Sequence, residues 1–255
     1  MDRDNGKELL SVSKIKMYLR CPLQYYYRYC EGIKIPPDAG LTLGKAVHSG
    51  IEQNFRQKIT SFSDLPLNDV LDIYSTAFES YLQEEFNFGE DKPGDVKDLG
   101  VGLVKVYHAE LSPKIQPVSV EEHFILEFEA PVEYGFQGYM DVIDAESNIR
   151  DSKTAKRSYA QNAAENDLQL TAYNLAYKFL KGKEPKALIF DVMVKNKTPK
   201  VQTISSPPRG EAQLNRLLKL IGFVSKSIKT GVFYPCENGQ VCSWCGYRKD
   251  HCSSW

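Results

Sequence analysis

A change of period in the middle of the chain constrains the fold more than any other feature. Val118 to Phe128, Val132 to Ile143 and Ile149 to Thr154 are β-rich and bounded by polar or glycine punctuation, which predicts a meander of antiparallel strands. A helical pattern follows from about Ala160 to Lys181. The apolar run Ala187-Leu188-Ile189-Phe190-Asp191-Val192-Met193-Val194 then reads as a buried strand, and Lys200 to Ile204 is placed to pair with it across Lys197-Thr198-Pro199. Strands broken by a helix and resumed as a buried run predict an α/β architecture, a central mixed sheet flanked by helices.

Ahead of the strands, apolar spacing predicts helices from about Ser11 to Tyr29, Leu43 to Lys58, Leu67 to Phe86 and Asp95 to Leu111; behind them, Glu211 to Lys229 predicts a last amphipathic helix. The 255 residues, 42% hydrophobic and 25% charged, suit one principal domain. It divides into a mainly helical part (1–115), an α/β core (116–230) and a cysteine-rich tail (231–255) whose weak periodicity fits a segment held by something other than packing. The first residues are charged and lead into no apolar run of signal-peptide or membrane-spanning length, which predicts an intracellular, cytoplasmic chain with no membrane partner. A net charge of -1 gives no general basic field, so a nucleic-acid partner would be held by a local patch.

The strands carry a chemical pattern. Gly138-Tyr139-Met140-Asp141 is followed by Asp151-Ser152-Lys153-Thr154, and then by Gln169 and Tyr173, which project together from one helix. Cleaving a phosphodiester requires an activated water, neutralisation of charge on the phosphoryl oxygens and stabilisation of the leaving alkoxide. Carboxylates holding Mg²⁺ or Mn²⁺ supply most of this. Asp151 and Lys153, two apart on a strand, leave the same face, where the lysine could orient or deprotonate water. Asp141 shares that face only if the connection around Ala145 to Asn148 is odd in length or bulged. Other acid-x-lysine triplets, at Glu90, Asp95 and Glu184, lack this context and read as solvated surface.

Taken together, Gly138-x-x-Asp141, Asp151-x-Lys153 and Gln169-x-x-x-Tyr173 resemble the motifs of the PD-(D/E)xK nuclease superfamily, in its RecB-like branch. The resemblance extends from about Ser11 to Cys252. It implies a restriction-endonuclease-like core and a metal-dependent DNA exonuclease acting on single-stranded or frayed ends, in recombination, repair or processing. It also implies that His48, in Gly44-Lys45-Ala46-Val47-His48, joins Asp141 and Asp151 as a metal ligand, and that Gln169 and Tyr173 contact substrate or support Lys153. Partners of that branch include helicase, recombination and CRISPR-adaptation proteins. Two functions of other classes compete: a catalytically silent DNA-binding clamp, and an iron-sulfur redox or sensing protein.

The six cysteines gather at the two ends of the chain. Cys242 and Cys245 stand at C-x₂-C spacing, with Cys236 and Cys252 close by, a grouping that suits either a [4Fe-4S] cluster or a structural Zn²⁺. The resemblance implies the cluster, with one early ligand, Cys21, and three late ones, Cys242, Cys245 and Cys252. Six residues separate the last two where the iron-sulfur relatives usually have five, which keeps Cys236, or His251 for zinc, as a substitute. Cys30 is expected to be a buried or partly buried thiol. Lys156 and Arg157 follow the acidic strand, and Lys195, Lys197 and Lys200 flank a neighbouring hairpin, so this rim is a candidate track for a phosphate backbone. An exposed tyrosine of the Tyr25 to Tyr29 group, or Trp244, could stack on unpaired bases.

Overall fold

The computed structural model describes residues 3–4, 7–83, 88–128 and 134–252. In chain order the N-terminal elements are β1 (Arg3–Asp4), β2 (Lys7–Leu10), α1 (Val12–Arg20), α2 (Pro22–Tyr25), α3 (Ala39–Ser61), α4 (Leu67–Leu82) and α5 (Pro93–Glu110). Then come β3 (Pro117–Leu126), β4 (Gly135–Asp144), β5 (Ile149–Ala155), α6 (Leu168–Lys181), β6 (Leu188–Val194), β7 (Lys200–Ser206), α7 (Glu211–Lys229) and α8 (Gly239–Ser243).

The helix predicted from Ser11 to Tyr29 is broken. Ser11 caps α1 by accepting the Lys14 N–H, but the helix stops at Cys21, whose backbone is extended (φ -162, ψ 110). Pro22 disfavours the helical region for the residue before it, and itself opens α2. Residues Tyr26–Cys30 continue as a π-helical turn. The helix predicted from Ala160 begins only at Leu168, because Asp167 caps it by accepting the Gln169 and Leu170 N–H groups, and the residues before are turns. The end of the helix predicted to reach Phe86 lies outside the described residues. Lys7–Leu10, too short and too charged in its setting to show a period, is a strand because Leu9 and Leu10 pair in parallel with Gly135 and Phe136.

The chain forms two compact units, one from segments 1–35, 123–138 and 209–255, the other from 36–122 and 139–208. In the first, α1 packs on α7, and Tyr25 is buried against Tyr18 and Phe233.

The second unit holds a mixed sheet. β4 runs antiparallel to β5, β5 parallel to β6, and β6 antiparallel to β7. Helices α3 and α5 cover one face, with α4 packed on both, and α6 lies against β5 and β6. Leu43, Val47, Phe55, Tyr74, Phe78, Leu103 and Tyr107 from the three helices share a core with Val142 and Met193 of the sheet. Each such side chain contributes about 1.5–3 kcal/mol by leaving water. Helix contact is close at Gly100, where a Cβ would stand 2.0 Å from the Tyr74 hydroxyl, so α5 approaches α4 only because that residue is glycine.

Adjacent strand residues face opposite ways, and β5 uses this to separate structure from chemistry. Arg150 donates to both oxygens of Asp191 (3.1 and 2.8 Å) and to Asp144 (3.2 Å), a buried ion network that Thr203 completes by donating to Asp191 at 3.0 Å. Asp151 and Lys153 leave the other face. The β4–β5 connection is the odd one that a shared Asp141–Asp151 face requires. Asp144 N–H bonds to the Asn148 carbonyl at 3.1 Å, so the residues between, 145–147, form a three-residue loop, and Ser147 takes the left-handed conformation (φ 66) common at its last position. Val142 pairs with Arg150 and Ile143 with Ile149, and the same register sets Asp141 opposite Asp151.

Candidate functional site

Five elements, α3, β3, β4, β5 and α6, bring their side chains together beside this hairpin. His48 comes from the middle of α3, and its Nε2 lies 3.0 Å from Asp141 Oδ2 and 3.4 Å from Glu121 Oε1. Among the described residues, His48, Glu121 and Asp141 are the group whose ligand atoms all lie within 4.8 Å of one another. Asp151 stands beside this group, fully buried, with its carboxylate 2.5 Å from the Lys153 ammonium. Lys153 also donates to Gln169 Oε1 at 3.0 Å; Gln169 Nε2 donates to the Tyr173 hydroxyl at 2.6 Å, and that hydroxyl reaches Asp141 Oδ1 at 3.5 Å. All six residues singled out on the strands and helices thus meet in one place.

Glu121 is the residue that the sequence reading missed. It lies in β3 with φ 52, a left-handed backbone that is uncommon for a non-glycine residue inside a strand. Two glutamates stand side by side there, and the alternation that would say which one faces the site is interrupted at that point. The only available signal is an acid on a strand ahead of the Gly-x-x-Asp segment, and Glu122 offers it equally.

The charges explain one another. Burial would lower the pKa of His48, but the hydrogen bond and charge of Asp141, with Glu121 and Asp151 behind, raise it to about 9. Burial and the Asp141 charge push Glu121 up to about 7. Burial opposes ionisation of Asp141 too, and is outweighed by His48, Lys153 and the Ser152 N–H, which lower its pKa. Burial, then Asp141, raises that of Asp151 against the pull of Lys153. Lys153 is kept cationic by Asp151 and Asp141 despite its burial. The three acids of this buried site are therefore opposed by the His48 imidazole and the Lys153 ammonium, whose pKa values are both raised. Oδ1 of Asp151 has no hydrogen-bond partner among the described residues, while its Oδ2 is held by Lys153 and Oε1 of Glu121 has only the His48 ring at 3.4 Å, an under-satisfied state that is expensive for buried carboxylates. The carboxylate oxygens suit a hard divalent cation, and the single imidazole nitrogen of His48 suits Mn²⁺ better than Mg²⁺.

The groove beside the site is lined by Lys45, His48, Lys153, Lys156 and Lys195, among others. Arg157 is exposed in the turn after β5, and Lys197 and Lys200 are exposed around the β6–β7 turn; of the predicted rim, Lys156 and Lys195 face the groove.

In the other unit, Cys21, Cys236, Cys242, Cys245 and Cys252 surround a single cavity with Tyr27 and Tyr247. The extended residue between α1 and α2 is what brings Cys21 there. Gln24 Nε2 donates to Cys245 Sγ at 3.0 Å, and the Cys242 thiol donates to the Cys236 carbonyl at 3.0 Å. The His251 ring is packed against Tyr27 and Tyr247 instead of lining the cavity. Cys30, expected to be buried or partly buried, is exposed at the end of the π-helical turn. Of the aromatic candidates, Tyr25 and Tyr27 are buried, and the exposed Trp244 ring carries the Arg20 guanidinium 5.0 Å from its centre.

The sequence profile of the PD-(D/E)XK nuclease superfamily matches residues 9–250. Among solved structures, an Eubacterium rectale protein named "Putative exonuclease" superposes with a TM-score of 0.63 at 14% identity, over 97% of this chain and 92% of that one, a likeness of fold. The protein SSO0001 aligns over 97% of this chain and 86% of its own at 14% identity, with a TM-score of 0.44 that carries no argument. No curated protein matches. Among the described residues, no helix is long and apolar enough to cross a membrane.

Proposed function

This chain belongs to the PD-(D/E)XK nuclease superfamily, and from that premise we propose that it is a Mg²⁺- or Mn²⁺-dependent deoxyribonuclease of the RecB-like branch. Its substrate is single-stranded or frayed DNA ends, which it trims as an exonuclease in recombination, repair or processing, beside a separately encoded helicase, recombination or CRISPR-adaptation partner. The observation that carries the reading is the convergence of His48, Glu121 and Asp141 within 4.8 Å, next to the Asp151–Lys153 pair. The name of the Eubacterium rectale protein of similar fold agrees with it.

His48, Asp141 and Asp151 are the proposed ligands, with Glu121 completing the set. When bound, the ion supplies an activated water and offsets charge on the phosphoryl oxygens. Lys153, cationic between Asp151 and Gln169, orients that water and donates to the phosphoryl group as its charge grows. Gln169 fixes the direction of the ammonium, and Tyr173 fixes Gln169. The water gives up a proton as its oxygen bonds to phosphorus, the bond to the 3'-oxygen breaks and that oxygen takes up a proton, so one water is consumed and a 3'-hydroxyl and a 5'-phosphate are left. Lys156 and Arg157 are proposed to contact the DNA backbone. Labelled single-stranded DNA with Mn²⁺ tests the reading: the wild type degrades it and Lys153→Ala does not. Binding by the wild type without cleavage would support a clamp instead, and absence of both would end the nuclease reading.

For the tail, the proposed occupant is a [4Fe-4S] cluster on Cys21, Cys242, Cys245 and Cys252. These four thiols line one cavity and would supply one thiolate to each of four irons; the choice of iron over zinc follows the family resemblance. Burial raises the Cys252 thiol pKa, followed by the charges of Cys21, Cys245 and Cys242, which are its three proposed partners. The protein as purified is expected to be brown, with iron and acid-labile sulfide; a colourless protein carrying zinc would overturn this assignment.

A further inference from the structure

Two lysines, Lys156 and Lys195, stand together at the edge of the sheet; the nuclease reading gives Lys156 a general contact with the DNA backbone and Lys195 no task. Strands β5 and β6 are parallel and in register up to Ala155 and Val194, so the next residues, Lys156 and Lys195, are neighbours at the carboxyl end of the pair. The Lys195 N–H bonds to the Ala155 carbonyl at 2.7 Å, which fixes that adjacency. Carboxyl ends of parallel strands are where open α/β sheets bind ligands. Both lysines line the groove that contains His48 and Lys153, and both also line the cavity that continues it past the start of α3.

Helix α3 forms the opposite wall, and it is glycine where the lysines approach. A Cβ at Gly40 would lie 3.7 Å from Lys195 Nζ, and one at Gly44 would lie 3.2 Å from Thr154 Oγ1. Gly40, Gly44 and His48 follow one another at four-residue intervals, so they share a helix face that leads from the lysines to the metal ligands. Of the acids lining the groove and cavity, Asp38 accepts the Leu41 N–H at 2.7 Å and Glu52 pairs with Arg56 at 2.7 Å, while Asp38 and Asp91 also offset part of the Lys195 charge. Burial, and then the charge of Lys156, hold the Lys195 ammonium below its ordinary pKa, against the weaker pull of Asp38 and Asp91. Two adjacent ammonium groups in a groove of this kind are relieved by an anion between them.

We propose that Lys156 and Lys195 together hold a non-scissile phosphate of the substrate strand. The pair lies three residues beyond Lys153, roughly 10 Å at about 3.3 Å per strand residue, too far to serve the reacting phosphate and suited to a neighbouring one. The protein therefore grips its strand beyond the bond it cuts. This proposal rests on the nuclease reading, and binding separates the two.

Fluorescence anisotropy of a short labelled single-stranded oligonucleotide, with Ca²⁺ in place of Mg²⁺, is measured over a range of NaCl. The Lys156→Ala/Lys195→Ala protein is expected to bind about tenfold more weakly, with the salt slope reduced by about 0.7 for the one single-strand phosphate released. Lys156→Arg/Lys195→Arg should keep the wild-type slope, which sets charge apart from packing, and Lys105→Ala, exposed on α5, should change nothing. A slope unchanged in the double alanine variant overturns the clamp even if the wild type cleaves DNA. A reduced slope in a protein that never cleaves keeps the clamp and removes the nuclease.

Discussion

Ser152 donates its backbone N–H to the Asp141 carboxylate at 3.1 Å, diagonally across from the Val142–Arg150 pair, and the same oxygen lies 3.0 Å from His48. Asp141 therefore does two jobs, fastening β4 to the strand that carries Asp151 and Lys153, and supplying charge to the site.

Asp141→Asn separates those jobs. The amide oxygen still accepts from Ser152, so the protein should fold with a similar melting temperature. Without the charge, the His48 pKa should fall from about 9 toward its ordinary 6.5, which NMR titration of the metal-free protein reads directly. Cleavage should drop at least about a hundredfold, or about 2.7 kcal/mol of transition-state stabilisation. Full activity in Asp141→Asn would remove this residue from the site.

Gln169 touches Lys153 and Tyr173, so it positions the ammonium instead of acting on substrate. For Gln169→Ala we expect kcat to fall about ten- to hundredfold, within the range for general acid–base and positioning groups, while KM stays nearly constant. A rise in KM alone would make Gln169 a substrate contact.

Metal and pH should be linked. In the metal-free protein His48 titrates near 9 instead of 6.5, and Glu121 near 7 instead of 4.5. Between roughly pH 4.5 and 9 the folded state thus binds more protons than the unfolded one, and stability declines as pH rises. The Glu121 share is complete below about 4.5 and lost through 7; the His48 share is complete below about 6.5 and lost through 9. An ion must displace these protons, so the rise in Tm on replacing EDTA with Mg²⁺ should be larger at pH 9 than at pH 6. A smaller rise at the higher pH would contradict the ligand set.

Arg150 is expected to matter for folding and not for chemistry. Removing it with Arg150→Met leaves Asp191 and Asp144 buried without their counter-charge, at a cost of about 3–5 kcal/mol. Urea denaturation measures the loss, and the folded fraction should keep its kcat because the side chain leaves the face opposite Lys153. A loss below about 1 kcal/mol would mean that the two carboxylates are not ionised in the folded state.

The sequence by itself determined the β-β-β-α-β-β order of the core, because alternation and apolar runs are local, and it named Asp141, Asp151, Lys153, Gln169 and Tyr173, because spacing of two on a strand and four on a helix fixes which side chains share a face. Boundaries set by a single competing residue were harder to read: Pro22 broke the first helix, and the Asp167 cap delayed α6. Glu121 was decided by tertiary structure alone. Its backbone leaves the strand conformation, so period says nothing about its direction, and only the meeting of β3 with α3 and β4 shows that this glutamate and not Glu122 joins His48 and Asp141. Lys195, Lys197 and Lys200 were one candidate rim in the sequence; that Lys195 stands in the groove beside Lys156 follows from β5 and β6 ending side by side.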